Sequence, residues 1–297
     1  MLPDNIEFCF SLTGFYPSQI SQITQHCPDS VSTKDVLLLL IWMRQAPSEE
    51  FLAWLFDISQ SSVNKIKWKT VEGIHHVSMT LCSALYEWAE QKIQNALPTD
   101  CERLANAVPF YGNQITAITD VTEQEIVMHI DKFTAMDTRS EKAQTHTVAK
   151  AVLVSPTGKI FAIGKSRRPK HDLTNTLMQD FLQQLLKFTK QEAIGGDSAY
   201  LGLESWLQCQ VVTPFKAFGG RKTNEEKIFN NEFKSVRTVV ENYFAHIKNF
   251  KILRYPWRTK GNLDQLLEKH HKVWVLCAAL MDEYLFPHGI KEPPFVE

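Results

Sequence analysis

The hydrophobic pattern of the chain changes near Pro98, and this change constrains the fold more than any other feature. Residues 16–97 carry apolar side chains at helical spacing and lack the runs of β-branched residues that are typical of strands. Segments rich in β-branched residues follow Pro98 instead. We therefore predict two domains, a helical module over residues 1–98 and an α/β domain over residues 99–297.

The α/β half is predicted to begin with strands and to end with helices. The predicted strands are Ile115–Thr119, Glu125–Ile130, Thr147–Val154, Lys159–Gly164, Glu192–Gly196 and Val211–Val212, and the predicted helices are Thr174–Thr189, Glu225–Phe250 and Leu263–Phe286. The sequence Pro156-Thr157-Gly158 is typical of a tight turn, so the strands on its two sides are expected to be antiparallel. An order of strands, helix, strand and helix predicts an α/β ribonuclease-H-like domain with a mixed sheet.

The helical half contains a candidate helix-turn-helix. Apolar residues at helical spacing over Ser48–Phe56 stop at Asp57 and resume at Val63, which predicts two short helices joined by a tight turn. Ser59 would cap the second, recognition helix, whose exposed polar side chains would reach bases and phosphates. These side chains would be Gln60, Ser61, Asn64, Lys65, Lys67 and Lys69. A packing or dimerisation module fits the same pattern.

Composition narrows the class of protein. A net charge of −1, 44% hydrophobic residues and 22% charged residues are ordinary values for a globular protein. The longest apolar run, Val36–Met43, is much shorter than the roughly 20 residues that cross a bilayer, so we expect no membrane span. The six cysteines form no CxxC pair, which favours reduced thiols in an intracellular protein over a zinc site or a disulfide framework.

Charged residues are distributed unevenly along the chain. Residues 216–260 hold eleven Lys or Arg against four Asp or Glu, whereas the first sixty residues hold seven acidic against two basic side chains. Such an asymmetry is typical of a protein that meets nucleic acid on one side. A solvated basic face is the alternative interpretation.

Three carboxylates of the α/β half are candidates for catalysis. Asp120 ends the first predicted strand, Asp197 ends the strand after the predicted helix, and Glu241 lies on the long helix. Grouped carboxylates repel each other unless cations neutralise them, so a site that holds all three is expected to bind metal. Two Mg²⁺ or Mn²⁺ ions would activate a water or a 3′ hydroxyl for an in-line displacement at phosphorus. Acidic residues at strand ends are common, so their spacing alone leaves catalysis open.

Several motifs follow each other around these carboxylates. They are Ile118–Glu123 at the first aspartate, Thr145–Ala151 with Ser155–Ile160 in the central hairpin, Lys170–Asp172 after it, Gly196–Gly202 at the second aspartate, and Phe229, Asn230 and Arg237–Leu253 around the glutamate. In this order they resemble the DDE superfamily endonucleases, and among these the Harbinger and IS5-like transposases. The resemblance implies that Asp120, Asp197 and Glu241 are a catalytic triad that binds two metal ions and cuts or joins DNA.

Some positions depart from the pattern of that family. Ala199 and Ala245 stand where the family usually has glycine, and Glu141–Gln144 replaces a usual Gly-Lys-Lys. None of these changes removes a metal ligand, but together they favour a second hypothesis, a domesticated DNA-binding or scaffold protein that acts through partners without nuclease activity. A third hypothesis is a ribonuclease-H-like enzyme that acts on RNA or on hybrids.

The resemblance also carries expectations about partners and location. DNA is the expected substrate, and Harbinger-type transposases work with a separate Myb-like DNA-binding protein, so such a partner is expected here, together with a homo-oligomer. The resemblance to eukaryotic transposases implies a nuclear protein, whereas a bacterial source would imply the cytoplasm.

Basic side chains are candidates for binding DNA phosphates. They are Lys65, Lys67 and Lys69 in the helix-turn-helix, Arg167, Arg168 and Lys170 after the hairpin, and Lys216, Arg221, Lys222, Arg237 and Lys248 in the basic region. His171 and Asp172 are expected to support the site without binding metal directly. Trp257 is interpreted as a buried aromatic anchor in preference to a platform for an unpaired base near a cut end.

Overall fold

The computed structural model describes residues 6–29, 31–68, 81–127, 137–169, 174, 179–217, 222–258 and 262–290. The helices before the sheet are α1 (Ile6–Thr13), α2 (Pro17–Gln25), α3 (Thr33–Gln45), α4 (Glu49–Phe56), α5 (Gln60–Trp68), α6 (Leu81–Gln94) and α7 (Asp100–Ala105). The following elements are β1 (Val108–Phe110), β2 (Asn113–Val127), β3 (Thr147–Val154), β4 (Ile160–Ile163), α8 (Gln179–Leu185), β5 (Ala193–Gly195), β6 (Gln210–Val212), α9 (Asn224–Ile247), β7 (Trp257–Arg258) and α10 (Leu263–Leu280).

Helix α3 is the centre of the N-terminal part. Ser32 and Asp35 form a capping box at its start, so the first free amide groups of the helix are satisfied. Every residue of Val36–Met43 is buried, as expected for a helix that is apolar on all sides. The predicted helical character of this half is confirmed over the described residues, none of whose helices is long and apolar enough to cross a membrane.

The strands form a mixed sheet in the order β4-β3-β2-β5-β6, with β1 and β7 also pairing with β2. Strands β2, β3 and β4 are antiparallel neighbours, whereas β5 runs parallel to β2 and β6 runs parallel to β5. One face of the sheet packs against α8 through residues such as Phe181, and the other packs against α9 and α10 through residues such as Val240 and Trp274. The predicted ribonuclease-H-like α/β class is confirmed.

One strand prediction is wrong. The segments Ile115–Thr119 and Glu125–Ile130 were expected as two strands, but β2 runs without interruption from Asn113 to Val127. The residues between them alternate between the two faces and include neither Gly nor Pro, and their pairing with β3 continues from Ile118 to Glu125, so the strand is not interrupted. Asp120 therefore lies in the middle of a strand, not at its end.

The N-terminal helices and the sheet domain share one hydrophobic cluster. Helix α6 packs along α10, the Cys277 thiol lies 3.8 Å from the Met43 sulfur, and Lys251 Nζ donates to Gln45 Oε1 at 2.8 Å. These contacts fix the helical part on the face of the sheet that carries α9 and α10. The domain boundary at residue 98 stays a prediction.

A buried ion pair joins α7 to the start of β5. Arg103 Nε donates to Glu192 Oε1 at 2.6 Å and Arg103 Nη2 donates to Glu192 Oε2 at 2.8 Å, with side chains 3% and 0% exposed. The hydroxyl of Thr116 and the amide of Thr189 donate to the same carboxylate, while Arg103 also donates to the Pro98 carbonyl. Because every polar group is satisfied, this pair holds the connection between the helices and the sheet rigidly.

Candidate functional site

Asp120 and Asp197 lie at matching positions on neighbouring strands. Ile118 of β2 is paired in parallel register with Gly195 of β5, and each aspartate lies two residues further along its chain. Neighbouring strands are about 4.8 Å apart, so this register brings the two aspartate backbones side by side. The structure therefore places the backbones of two of the three predicted residues at matching positions of neighbouring strands.

Local hydrogen bonds orient both aspartates. The Val121 amide donates to Asp120 Oδ1 at 2.8 Å. The Ala199 amide donates to Asp197 Oδ1 at 2.7 Å, which makes Asp197 the cap of a short 3₁₀ turn, Ser198–Tyr200. Both aspartates are half-buried. Each carboxylate is thus held by its own backbone while part of it stays accessible.

Helix α9 passes over the sheet face that carries Asp120. A Cβ atom at Gly195 would lie 3.4 Å from the Phe233 ring, which places the first half of the helix against the paired strands. Near the other end, Lys248 Nζ donates to Thr122 Oγ1 at 2.7 Å. Thr122 and Asp120 point to the same face because strand side chains alternate. The helix segment that contains Glu241 therefore spans the neighbourhood of Asp120.

The Glu241 side chain is less constrained than the two aspartates. It is 52% exposed, and its Oε1 atom lies 3.9 Å from Arg237 Nη2, one helical turn earlier. Within the described ranges, no three His, Cys, Asp or Glu side chains are grouped closely enough to hold a metal ion. The structure thus leaves the glutamate apart from the aspartate pair, although a set of three carboxylates is the kind of oxygen donor set that fits Mg²⁺ or Mn²⁺.

A buried polar layer lies beside Asp120 on the same face of the sheet. Lys150 pairs with Thr122 across β2 and β3, and it is 1% exposed in the middle of an entirely buried strand. Its ammonium group contacts Ser166 Oγ at 3.2 Å and also contacts His271 Nδ1. Burial, and secondarily the charge of Arg167, hold the pKa of Lys150 well below its usual range.

Two histidines of α10 complete this layer. His270 lies between Ser166 Oγ at 2.7 Å and Gln124 Oε1 at 2.9 Å, and burial lowers its pKa well below its usual range. Burial, followed by the charge of Lys150, lowers the pKa of His271 to about 2. Our sequence reasoning missed this layer. A lysine inside the apolar run Thr147–Val154 was the signal that could have found it.

The predicted pair of short helices is present as α4 and α5, separated by a turn at Asp57, which has a left-handed backbone. The Ser59 hydroxyl accepts from the Ser62 amide at 3.1 Å, as expected for a cap. Gln60 and Asn64 are exposed, but their amide groups donate to Glu50 and Glu49 at 3.2 and 3.3 Å. The DNA-binding role of this pair stays a prediction.

One basic residue of the recognition helix is not where the sequence suggested. Lys67 was expected to be exposed, but it is 4% exposed, and its ammonium group donates to Glu49 at 2.7 Å and lies 4.9 Å from the Trp42 ring centroid. It follows Val63 by four residues and so shares the inward face of α5. The prediction that Lys67 is exposed is wrong, whereas Lys65 is exposed as expected, and the DNA-binding role of both stays a prediction.

The remaining basic candidates lie in different surroundings. Lys216 and Arg168 are exposed, and Arg168 pairs with Asp137. Lys222 and Arg167 are half-buried. Lys248 is half-buried as well, and burial lowers its pKa. Five candidates, Lys69, Lys170, His171, Asp172 and Arg221, lie outside the described residues. The interpretation of Trp257 as a buried anchor is confirmed, since it is 1% exposed.

Comparison with known protein families bears directly on this site. The family model described as DDE superfamily endonuclease matches residues 119–282, which is more than half of the chain. The match begins beside Asp120, includes Asp197 and Glu241, and ends after α10. Neither the curated proteins nor the solved structures gave a significant match.

Proposed function

The chain belongs to the DDE superfamily endonucleases, and from that premise we propose that it is a metal-dependent DNA endonuclease or transposase that uses Asp120, Asp197 and Glu241. A nuclease or transposase type of function follows from the family itself. The observation that carries the finer assignment is the parallel register of β2 and β5, which sets Asp120 and Asp197 side by side within the family match.

In this proposal the three carboxylates hold two Mg²⁺ or Mn²⁺ ions. When bound, such ions activate the attacking oxygen and stabilise the leaving oxygen at phosphorus. The backbone amides of Val121 and Ala199 keep the two aspartates oriented, so little side-chain freedom is lost on binding. Glu241 would turn from its loose contact with Arg237 toward the aspartates.

The cations of α9 would position the DNA. Lys227 and Lys234 are exposed and Arg237 is half-buried on the side of α9 that also carries Glu241. Cations in such a row bind successive phosphates whatever the base sequence, and this binding weakens as salt rises. The proposal includes the nuclear location, the Myb-like partner and the homo-oligomer that the family resemblance implies.

The test is nicking of supercoiled plasmid by the purified protein with Mg²⁺ or Mn²⁺. Asp120→Ala, Asp197→Ala and Glu241→Ala are each expected to lose activity by about a thousandfold or more while keeping their fold. Glu225→Ala, on the same helix and also exposed, is the matched control and should cleave like wild type. Equal cleavage by all four variants would contradict the proposed site.

A second candidate function is a domesticated DNA-binding or scaffold protein. It is favoured by the net charge of −1, which gives no overall attraction to a polyanion. In the same assay it predicts no cleavage by wild type with either ion, with DNA binding retained. Cleavage that appears when a Myb-like partner is added would instead support the nuclease function.

A further inference from the structure

A cavity of about 940 Å³ lies between α5 and the segment around β7. Its lining includes Trp42, Gln60, Asn64, Tyr255, Trp257 and Arg258. The volume falls within the roughly 300–1,000 Å³ of typical small-ligand sites. Val127 also lines it, seven residues along β2 from Asp120, so the cavity lies about 23 Å from the aspartate pair at roughly 3.3 Å per residue.

Aromatic side chains supply the apolar wall of this cavity. Trp42 and Trp257 are 6% and 1% exposed, and their rings meet edge to face with centroids 6.5 Å apart. Tyr255 is 49% exposed. Its backbone is fixed, because its amide donates to the Lys251 carbonyl at 2.9 Å and its carbonyl accepts from Gln124 Nε2 at 2.7 Å. The cavity therefore presents to solvent an aromatic ring that is carried by a fixed backbone and has only two side-chain torsions to order on binding.

The charge of the cavity is positive. Lys67 and Glu49 neutralise each other at 2.7 Å. Arg258 is exposed beside them, is paired in β7 with Val127 of β2, and makes no ion pair within the described part of the chain. A guanidinium group on a rigid strand is well suited to hold a phosphate.

Amide side chains supply the polar wall. Gln60 Nε2 and Asn64 Nδ2 donate to the carboxylates of Glu50 and Glu49, and each amide also carries a carbonyl oxygen, which is an acceptor. Donors and acceptors of this kind match the edge of a nucleobase. An aromatic ring, a cation and two amides together are the groups that an unpaired nucleotide needs for stacking, phosphate binding and edge recognition.

We propose that this cavity binds an unpaired nucleotide of the DNA strand on which the protein acts, with its base stacked on Tyr255, its phosphate at Arg258 and its base edge at Gln60 and Asn64. The assignment rests on the proposed function, because it takes the strand to be part of the DNA that is cut. A DNA strand that leaves the aspartate pair and follows β2 reaches the cavity after about 23 Å.

Fluorescence anisotropy of the full chain in EDTA tests the proposal without cleavage. The probes are a labelled blunt duplex and the same duplex with an unpaired tail. Wild type is expected to bind the tailed duplex about tenfold more tightly, as stacking of one base on an aromatic ring allows. Tyr255→Ala and Arg258→Ala should remove most of this preference. Tyr255→Phe keeps the ring, and Arg254→Ala removes an exposed arginine outside the lining, so both should retain it.

The outcomes distinguish a failure of the cavity assignment from a failure of the proposed nuclease function. Asp120→Ala, which should abolish nicking, is expected to keep the tail preference, so a failed nicking assay leaves the cavity result standing. Equal binding of both probes by wild type, or a preference that survives in Tyr255→Ala and Arg258→Ala, would overturn the cavity assignment alone. Competition by free deoxynucleoside monophosphates without any tail preference would overturn its assignment to a DNA strand.

Discussion

Two arginine–glutamate pairs of this protein differ in burial, in distance and in the number of further hydrogen bonds. Arg103 and Glu192 are almost completely buried at 2.6 Å, and each has further hydrogen-bond partners. Arg237 and Glu241 are 3.9 Å apart and 21% and 52% exposed. A carboxylate with all its hydrogen bonds made can hold a fold but has no oxygen left for a ligand. A loosely paired carboxylate adds little stability and remains available for binding.

The largest effect should follow from breaking the buried pair. Arg103→Ala leaves the Glu192 carboxylate buried without its cation, so the free energy of unfolding should fall by about 3–5 kcal/mol in denaturant titrations. Arg254→Ala, which removes an exposed arginine, should change it by no more than about 0.5 kcal/mol. A loss below about 1 kcal/mol for Arg103→Ala would show that the pair does not anchor α7.

Asp282 extends the comparison, because it is a buried carboxylate that accepts a hydrogen bond from a backbone amide and pairs with no arginine among the described residues. It accepts from the Ile160 amide at 2.8 Å, and burial raises its pKa from 3.8 to about 7. Since the folded-state pKa is raised, the folded protein holds the proton more tightly, and stability falls as pH rises from about 4 to about 7. Asp282→Asn keeps an acceptor and removes this dependence.

The stability of Asp282→Asn relative to wild type should therefore increase by roughly 3 kcal/mol between pH 5 and pH 8. Paired denaturant titrations at the two pH values measure this difference directly. The same difference at both pH values would mean that Asp282 ionises in the folded protein as easily as in water.

Lys67 and Glu49 form an intermediate case, with side chains 5% and 28% exposed. Lys67→Ala removes the ion pair and the contact with the Trp42 ring, and we expect a loss of about 1–3 kcal/mol in unfolding free energy. Lys65→Ala, two residues away and exposed, should change stability by less than about 0.5 kcal/mol and weaken DNA binding at low salt instead. Equal losses of unfolding free energy in Lys67→Ala and Lys65→Ala would contradict the conclusion that Lys67 is buried and Lys65 is exposed.

The smallest effect is expected at Glu241. Glu241→Gln breaks only an exposed pair within one helix, so the unfolding free energy should change by less than about 0.5 kcal/mol while nicking is lost. Thermal unfolding measured beside the plasmid assay tests both parts. A large stability loss would assign this glutamate to the fold and weaken its assignment to catalysis.

The elements were easier to predict from the sequence than their contacts. Local sequence patterns predicted the helices and the hairpin at Pro156, because each depends on neighbours in the chain. The length of β2 was missed, since a strand that carries Asp120 and Glu123 looks interrupted in the sequence. Only the pairing of Ile118–Glu125 with β3 shows that polar residues continue the same strand.

The candidate site was likewise predictable where it depends on local sequence, and was missed where it depends on long-range contacts. Motif order predicted which carboxylates to consider, and the register of β2 and β5 then placed the backbones of two of them at matching positions. Its spacing of four residues after Val63 places Lys67 on the inward face of α5, but the sequence did not show that Glu49 and Trp42 surround it there. Lys150 and His271 were missed as partners because they are 121 residues apart in the chain. Such long-range pairing leaves no local pattern.

The uninterrupted length of β2 also limits how this protein can change during evolution. One inserted residue after Asp120 would turn Thr122 and Gln124 to the opposite face of the sheet, away from Lys248 and His270. A two-residue insertion would restore the faces but would lengthen the path between the aspartates and the cavity by about 6.6 Å. A substitution in this strand affects one side chain, whereas an insertion or deletion changes the face or the position of every residue of the strand that follows it.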